Sequence, residues 1–173
     1  MIILVGPVGS GGTELLAEFQ SRGLSVCDAE QLLEEREGES ASDLLIFQGA
    51  TAYAEAERGA SLAALDSGAD VVLLGSGALG NSGDDDRGVE VRARVDEAVR
   101  QGATKVFLTA EAKVLMNRAG LDIPRSVAIG SPRSSYLTHL KAREPLYSVG
   151  ATTINTASGE WPVLADEIMN LTY

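Results

Sequence analysis

Five short apolar runs alternate with segments of helical spacing, and this alternation limits the folds open to the chain more than any other feature. The runs are Met1 to Val5, Leu24 to Cys27, Asp70 to Leu74, Lys105 to Leu108 and Ala151 to Asn155. Between them lie stretches such as Thr13 to Arg22 and Val89 to Arg100, whose apolar residues recur every three or four positions. Strands separated by helices enter a parallel sheet covered on both faces. Gly23, Gly68 and Gly102 each stand just ahead of a run, where a helix ends in the left-handed conformation that glycine accepts. With 173 residues, 45% of them hydrophobic, the chain suffices for one domain with a substantial core. Two segments, Gly75 to Gly88 and Ala119 to Ser134, are long for connections and read as coverings of a site.

Charge and composition exclude several functions. A formal charge of -11 would repel a phosphate backbone, so no nucleic-acid partner is expected. No run of 18 apolar residues offers a membrane span. Met1 to Val5 has no basic region ahead of it and reads as a buried strand rather than a signal peptide. The single cysteine, Cys27, fits a reducing cytoplasm and, inside an apolar run, reads as a small packed residue. One cysteine and one histidine, His139, support no structural zinc site. The run Asp84 to Asp86 reads as a solvated loop, and the acidic stretch Glu30 to Glu39 as a solvated helical face.

The chemistry concentrates in GPVGSGGT, Gly6 to Thr13, between the first strand and the first helix. It has the length, glycines and final hydroxyl of the phosphate-cradling pattern G-x-x-x-x-G-K-[ST]. In such a loop the backbone N–H groups and the helix N-terminus wrap phosphate oxygens, a lysine spans the outer phosphates and the hydroxyl binds magnesium. Gly6, Gly9 and Gly11 permit the wrap and Thr13 supplies the hydroxyl, but Gly12 stands where the lysine belongs. Asp28 and Glu30, at the end of the second strand, are placed either to meet magnesium and substrate or to cap the following helix.

Together with this loop, the segments CDAEQLLEEREG, FQGATAYAEAER, LLGSGALG, IPR and KAREPLY occur in the order and spacing of the shikimate kinases, which the chain resembles over nearly its whole length. The resemblance implies a three-layer αβα fold, a five-stranded parallel sheet of order 2-3-1-4-5 with a lid over about residues 119–134, all in one domain of residues 1–173. It implies ATP and Mg2+ as cofactors and a small carboxylate as ligand. By this resemblance Gly6, Gly9, Gly11, Gly12, Thr13 and Arg118 face the nucleotide, and Thr13 and Asp28 serve the metal. Asp28 and the lid residue Arg125 belong to the catalytic group. Glu30, Gly75, Gly77 and Arg143 face the substrate, with Glu57 a structural acid beside them.

Four positions depart from the family pattern. Gly12 replaces the lysine, Ala54 a substrate-binding arginine, Glu30 the second acid of Asp-x-Asp, and Ser76 the middle glycine of three. All four fall at the reacting centre. The expected function is therefore a degenerate, shikimate-kinase-like protein with weak nucleotide or anion binding, acting alone or through a protein partner. A functioning small-molecule kinase is the alternative, supported by Thr13, Asp28, Arg118, Arg125 and Arg143. Lys141 is too far round its helix from Arg143 to replace the lost lysine. Trp161 is expected to pack on the helix that it opens.

Overall fold

The apolar runs become five strands: β1 (Ile2–Val5), β2 (Val26–Asp28), β3 (Val71–Leu73), β4 (Thr104–Thr109) and β5 (Thr152–Asn155). They form one sheet of order β2-β3-β1-β4-β5, every neighbour parallel, which bears out the expected topology. The structure is a computed structural model that describes residues 1–121 and 132–172.

The central strand shows why both faces must be covered. All four residues of β1 are buried, Ile3 and Val5 in one core cluster and Ile2 and Leu4 in the other. Such alternation is inherent in a strand, whose successive side chains leave opposite faces. On one face the helices α1 (Gly12–Ser21) and α8 (Trp161–Asn170) contribute Leu15, Leu16, Phe19, Leu164, Ala165 and Ile168. On the other lie α2 (Ala29–Glu37), α4 (Ala50–Leu65), α5 (Val89–Arg100) and α7 (Pro132–Ser148), with α4 and α5 supplying Ala64, Leu65, Val91, Val95 and Ala98. The short α3 (Ala41–Asp43) and α6 (Ala112–Arg118) complete the set. Gly23, Gly68 and Gly102 have φ of 86°, 77° and 101°, as expected of residues that end helices ahead of strands.

The carboxyl ends of β1, β2 and β3 converge on one rim, where open parallel sheets place their ligands. β1 delivers Gly6, β2 ends in Asp28 and β3 leads into Gly75. At the lid the structure corrects the sequence: α7 already begins at Pro132, so residues 132–134 are helical rather than loop. The central part of the expected lid, with Arg125, lies outside the described residues. Among the described residues no helix is long and apolar enough to cross a membrane.

Candidate functional site

Two cavities meet at the turn after β3. The first, of about 360 Å³, is bounded by the Gly6–Glu14 loop, by Asp28, Glu30, Gln31 and Glu34, by Leu73 to Ser76, and by Arg118. The second, of about 220 Å³, holds Glu57, Asn81, Arg87 and Arg143 against a less polar wall of Leu45, Ala50, Tyr53 and Ala54. Gly75 faces the first and Gly77 the second.

The phosphate-type loop has its expected shape. Gly9 and Gly11 have φ of 88° and 92°, a region costly for other residues. A Cβ at Gly6 would lie 2.6 Å from the Leu108 carbonyl oxygen. Among the described residues the N–H groups of Gly12 and Thr13 have no acceptor, leaving them open to an anion at the helix start.

The loop is fastened from behind. The buried Thr156 hydroxyl donates to the Ser10 carbonyl at 2.7 Å. Arg118 donates to the Gly9 carbonyl at 3.3 Å, to Thr156 Oγ1 at 3.1 Å and to the Thr156 carbonyl at 2.7 Å. The guanidinium also sits 5.2 Å from the centre of the Trp161 ring, and that ring abuts Gly11, where a Cβ would come within 2.5 Å of it. Arg118 thus lines the first cavity, but both of its terminal nitrogens are engaged by the loop carbonyl of Gly9 and by the segment after β5, Thr156 and Ala157. Trp161 packs on the loop as well as opening α8.

Position 12 is more than a missing charge. A Cβ there would lie 2.6 Å from Leu73 Cδ1 and 2.9 Å from Cδ2. An apolar side chain from β3 therefore fills the space into which a residue at position 12 would project. Thr13 and Asp28 do come together on this cavity, as expected. Asp28 is also the N-cap of α2, its Oδ1 accepting from the Glu30 N–H at 2.9 Å, so the capping alternative is realised. Glu14, Asp28, Glu30 and Glu34 line the same space. Partial burial, with Asp28 and then Glu34 nearby, holds the Glu30 carboxyl above the usual range.

In the second cavity Glu57 is 7% exposed and accepts from the Gly77 N–H at 3.0 Å. Burial raises its pKa, opposed by that bond and by Arg143. Gly75 and Gly77 are needed here, because a Cβ on either would collide with the Glu57 carboxylate. The Ser76 carbonyl accepts from the buried Tyr147 hydroxyl, whose ring stacks on Phe107 at 5.3 Å. Arg143 Nε donates to Asn81 Oδ1 at 2.9 Å. His139 lines this space too, its pKa lowered by partial burial and by Arg143.

The acidic run after this turn is not simply solvated. Asp85 is only 11% exposed at its side chain and accepts from the Asn81 and Arg87 N–H groups, each at 3.0 Å. The Asn81 bond is the largest cause of its lowered pKa. Sequence reasoning missed Leu73, Asn81, Asp85 and Arg87. For Asp85 a signal existed, since an aspartate two residues before another residue's N–H is a common turn former.

The family model for shikimate kinase matches residues 12–172. The chain belongs to the shikimate kinase family. A shikimate kinase from Thermobifida fusca is 31% identical over 98% of this chain and 92% of its own length. The structure of shikimate kinase from Acinetobacter baumannii in complex with shikimate superposes with a TM-score of 0.76 at 26% identity, covering 98% of this chain and 90% of that one. The Aquifex aeolicus shikimate kinase shares the fold, with a TM-score of 0.69 at 16% identity over 99% of this chain and 95% of its own.

Proposed function

We propose that this member of the family is a degenerate kinase, which holds a nucleotide or small anion weakly on its glycine loop and transfers little or no phosphoryl group. The observation that carries the reading is the pairing of Gly12 with Leu73: where the family pattern has lysine, the loop meets a leucine side chain. Phosphoryl transfer rests on positioning and on charge stabilisation of the moving group. Loss of one preorganised donor of this kind costs on the order of 10²–10³ in rate. Arg118, the cation lining that cavity, is held by the Gly9 and Thr156 carbonyls, while four acids face the same space.

Mg2+ fits the oxygen donors present: Thr13 Oγ1 and the Asp28 carboxylate would hold it. Bound there, it would neutralise phosphate charge. Among the described residues no three His, Cys, Asp or Glu side chains form a metal cluster, so its retention would depend on the phosphates and water. Asp28 is itself committed to the start of α2 through one oxygen. Arg143 is the residue for a carboxylate, and shikimate, bound by the Acinetobacter relative, is the first ligand to try. A cytoplasmic setting accompanies this reading.

The second reading, a functioning kinase, is favoured by the loop's preserved backbone shape, with φ of 88° and 92° at Gly9 and Gly11. Calorimetric titration with Mg-ATP and a coupled assay on shikimate separate the two. Weak heats and no turnover are expected. Micromolar Mg-ATP binding with turnover at ordinary kinase rates would overturn the first reading and establish the second.

A further inference from the structure

The cavity beside Arg143 lost one arginine at Ala54, yet it is not short of guanidinium groups. Arg58, one turn beyond Ala54 on α4, reaches the same cavity but is paired with Glu55 at 3.1 Å and with Glu90. Arg87 comes from the long turn after β3. Its Nε donates to Asp85 Oδ1 at 3.2 Å, and among the described residues neither of its terminal nitrogens has a hydrogen-bond partner. We propose that Arg87 is the second carboxylate-binding cation of this cavity, acting with Arg143 on a small organic carboxylate in place of the arginine absent at position 54.

The geometry is built rather than incidental. One turn orients both arginines: Asn81 accepts from Arg143 Nε at 2.9 Å, and Asp85 accepts from Arg87 Nε. Asp85 also accepts from the Asn81 N–H at 3.0 Å, so the two anchors are tied to each other. Arg92, on α5, fixes the turn by donating to the carbonyls of Leu79 at 2.6 Å, Gly83 at 3.1 Å and Asp85 at 3.3 Å. A guanidinium held through Nε keeps its terminal edge for a ligand, and the planar fork matches a carboxylate in a way lysine does not. Such local positive charge is what an anion needs on a chain of net charge -11. Arg87 is 51% exposed at its side chain, and when that side chain is removed the nearly buried Asp85 loses its ion pair but keeps the N–H groups of residues 81 and 87.

The inference rests on the reading of this cavity as a carboxylate site, and its test keeps the two apart. Shikimate and its methyl ester are titrated calorimetrically into the unaltered protein, Arg87→Ala, Arg87→Lys, Arg143→Ala and the double variant Arg87→Ala with Ala54→Arg. Arg87→Ala should weaken shikimate about tenfold to a hundredfold, as loss of a charged hydrogen bond does. It should leave the ester affinity unchanged and lower the melting temperature only slightly, because Asp85 keeps two backbone N–H donors. Arg87→Lys should recover only part of the affinity, and Ala54→Arg should rescue Arg87→Ala. Equal shikimate affinity in Arg87→Ala and the unaltered protein, with Arg143→Ala weakened, overturns the role of Arg87 alone. Failure of the unaltered protein to bind shikimate at millimolar concentration overturns the carboxylate site and this role with it. Shikimate turnover by the unaltered protein would overturn only the degenerate-kinase reading.

Discussion

Restoring the lysine by Gly12→Lys should not by itself restore the loop. A Cβ at position 12 would lie 2.6 Å, 2.9 Å and 3.3 Å from Cδ1, Cδ2 and Cγ of Leu73, all inside ordinary contact distance. Leu73 would have to rotate or β3 would have to shift. Overpacking of this kind costs about 1–3 kcal/mol. In a chain of this size each kcal/mol moves the melting temperature by about 2–4 °C, so Gly12→Lys should melt about 2–12 °C lower. Leu73→Ala removes the obstructing atoms. The double variant should therefore be more stable than the sum of the single effects, with a coupling of about 1 kcal/mol or more, as neighbours in contact show. Thermal melts of the four proteins give the coupling, and Mg-ATP calorimetry on the same samples shows which of them gains affinity. The gain is expected in the double variant and not in Gly12→Lys alone. A Gly12→Lys protein that melts with the unaltered one and binds Mg-ATP as tightly as the double variant would refute the reasoning, because Leu73 would then yield at no cost.

Other consequences can be measured independently. Thr156→Val leaves the Ser10 carbonyl without its donor and removes an acceptor for Arg118, so it should cost about 1–3 kcal/mol, read from denaturant melts. Lys105, buried in β4, donates to the Leu146 and Val149 carbonyls at 2.9 Å and 2.8 Å and so closes the end of α7. Lys105→Met orphans both carbonyls and should lower stability by about 1–3 kcal/mol despite removing a buried charge; an unchanged melting temperature would contradict this. Glu57 gives a pH test. Burial raises its folded pKa above the unfolded value, so its contribution is fully present below the unfolded pKa and is lost as pH rises through the folded pKa. Glu57→Gln carries no charge, so its melting temperature relative to the unaltered protein should rise between acid and neutral pH. A flat difference would show that the Gly77 bond and Arg143 offset the burial.

The sheet could be read from the sequence because its signals are local. β1 is a run of apolar residues ending at a glycine, and Gly23, Gly68 and Gly102 mark helix ends by a conformation that few residues share. The order of the strands came from the resemblance, since nothing local in a strand names its neighbour. At the site, Thr13 was legible from the loop motif, Asp28 from its place at a strand end, and Glu57 and Arg143 only from the resemblance, and the structure brings them to two adjoining cavities. Leu73 was not. As a strand residue it looked like any other apolar position, and only the approach of β3 to the loop shows what it covers. Asp85 was hidden by its acidic neighbours, Asp84 and Asp86, which suggested solvent. Its role depends on Asn81 and Arg87 closing around it. Arg118 was assigned to a nucleotide by the resemblance, but the partners that occupy it lie 38 and 109 residues away in sequence.

Those partners give the loop an unusual property. Trp161 is the only tryptophan in the chain, and its ring touches Gly11 and has the Arg118 guanidinium over it. Every photon emitted by an indole in this protein therefore comes from the wall of the glycine loop. An anion that settles on the loop alters the field at that ring, and displacement of Arg118 removes the cation from its face. The molecule carries its own optical gauge of occupancy, able to screen nucleotides, phosphates and sulfate without a label.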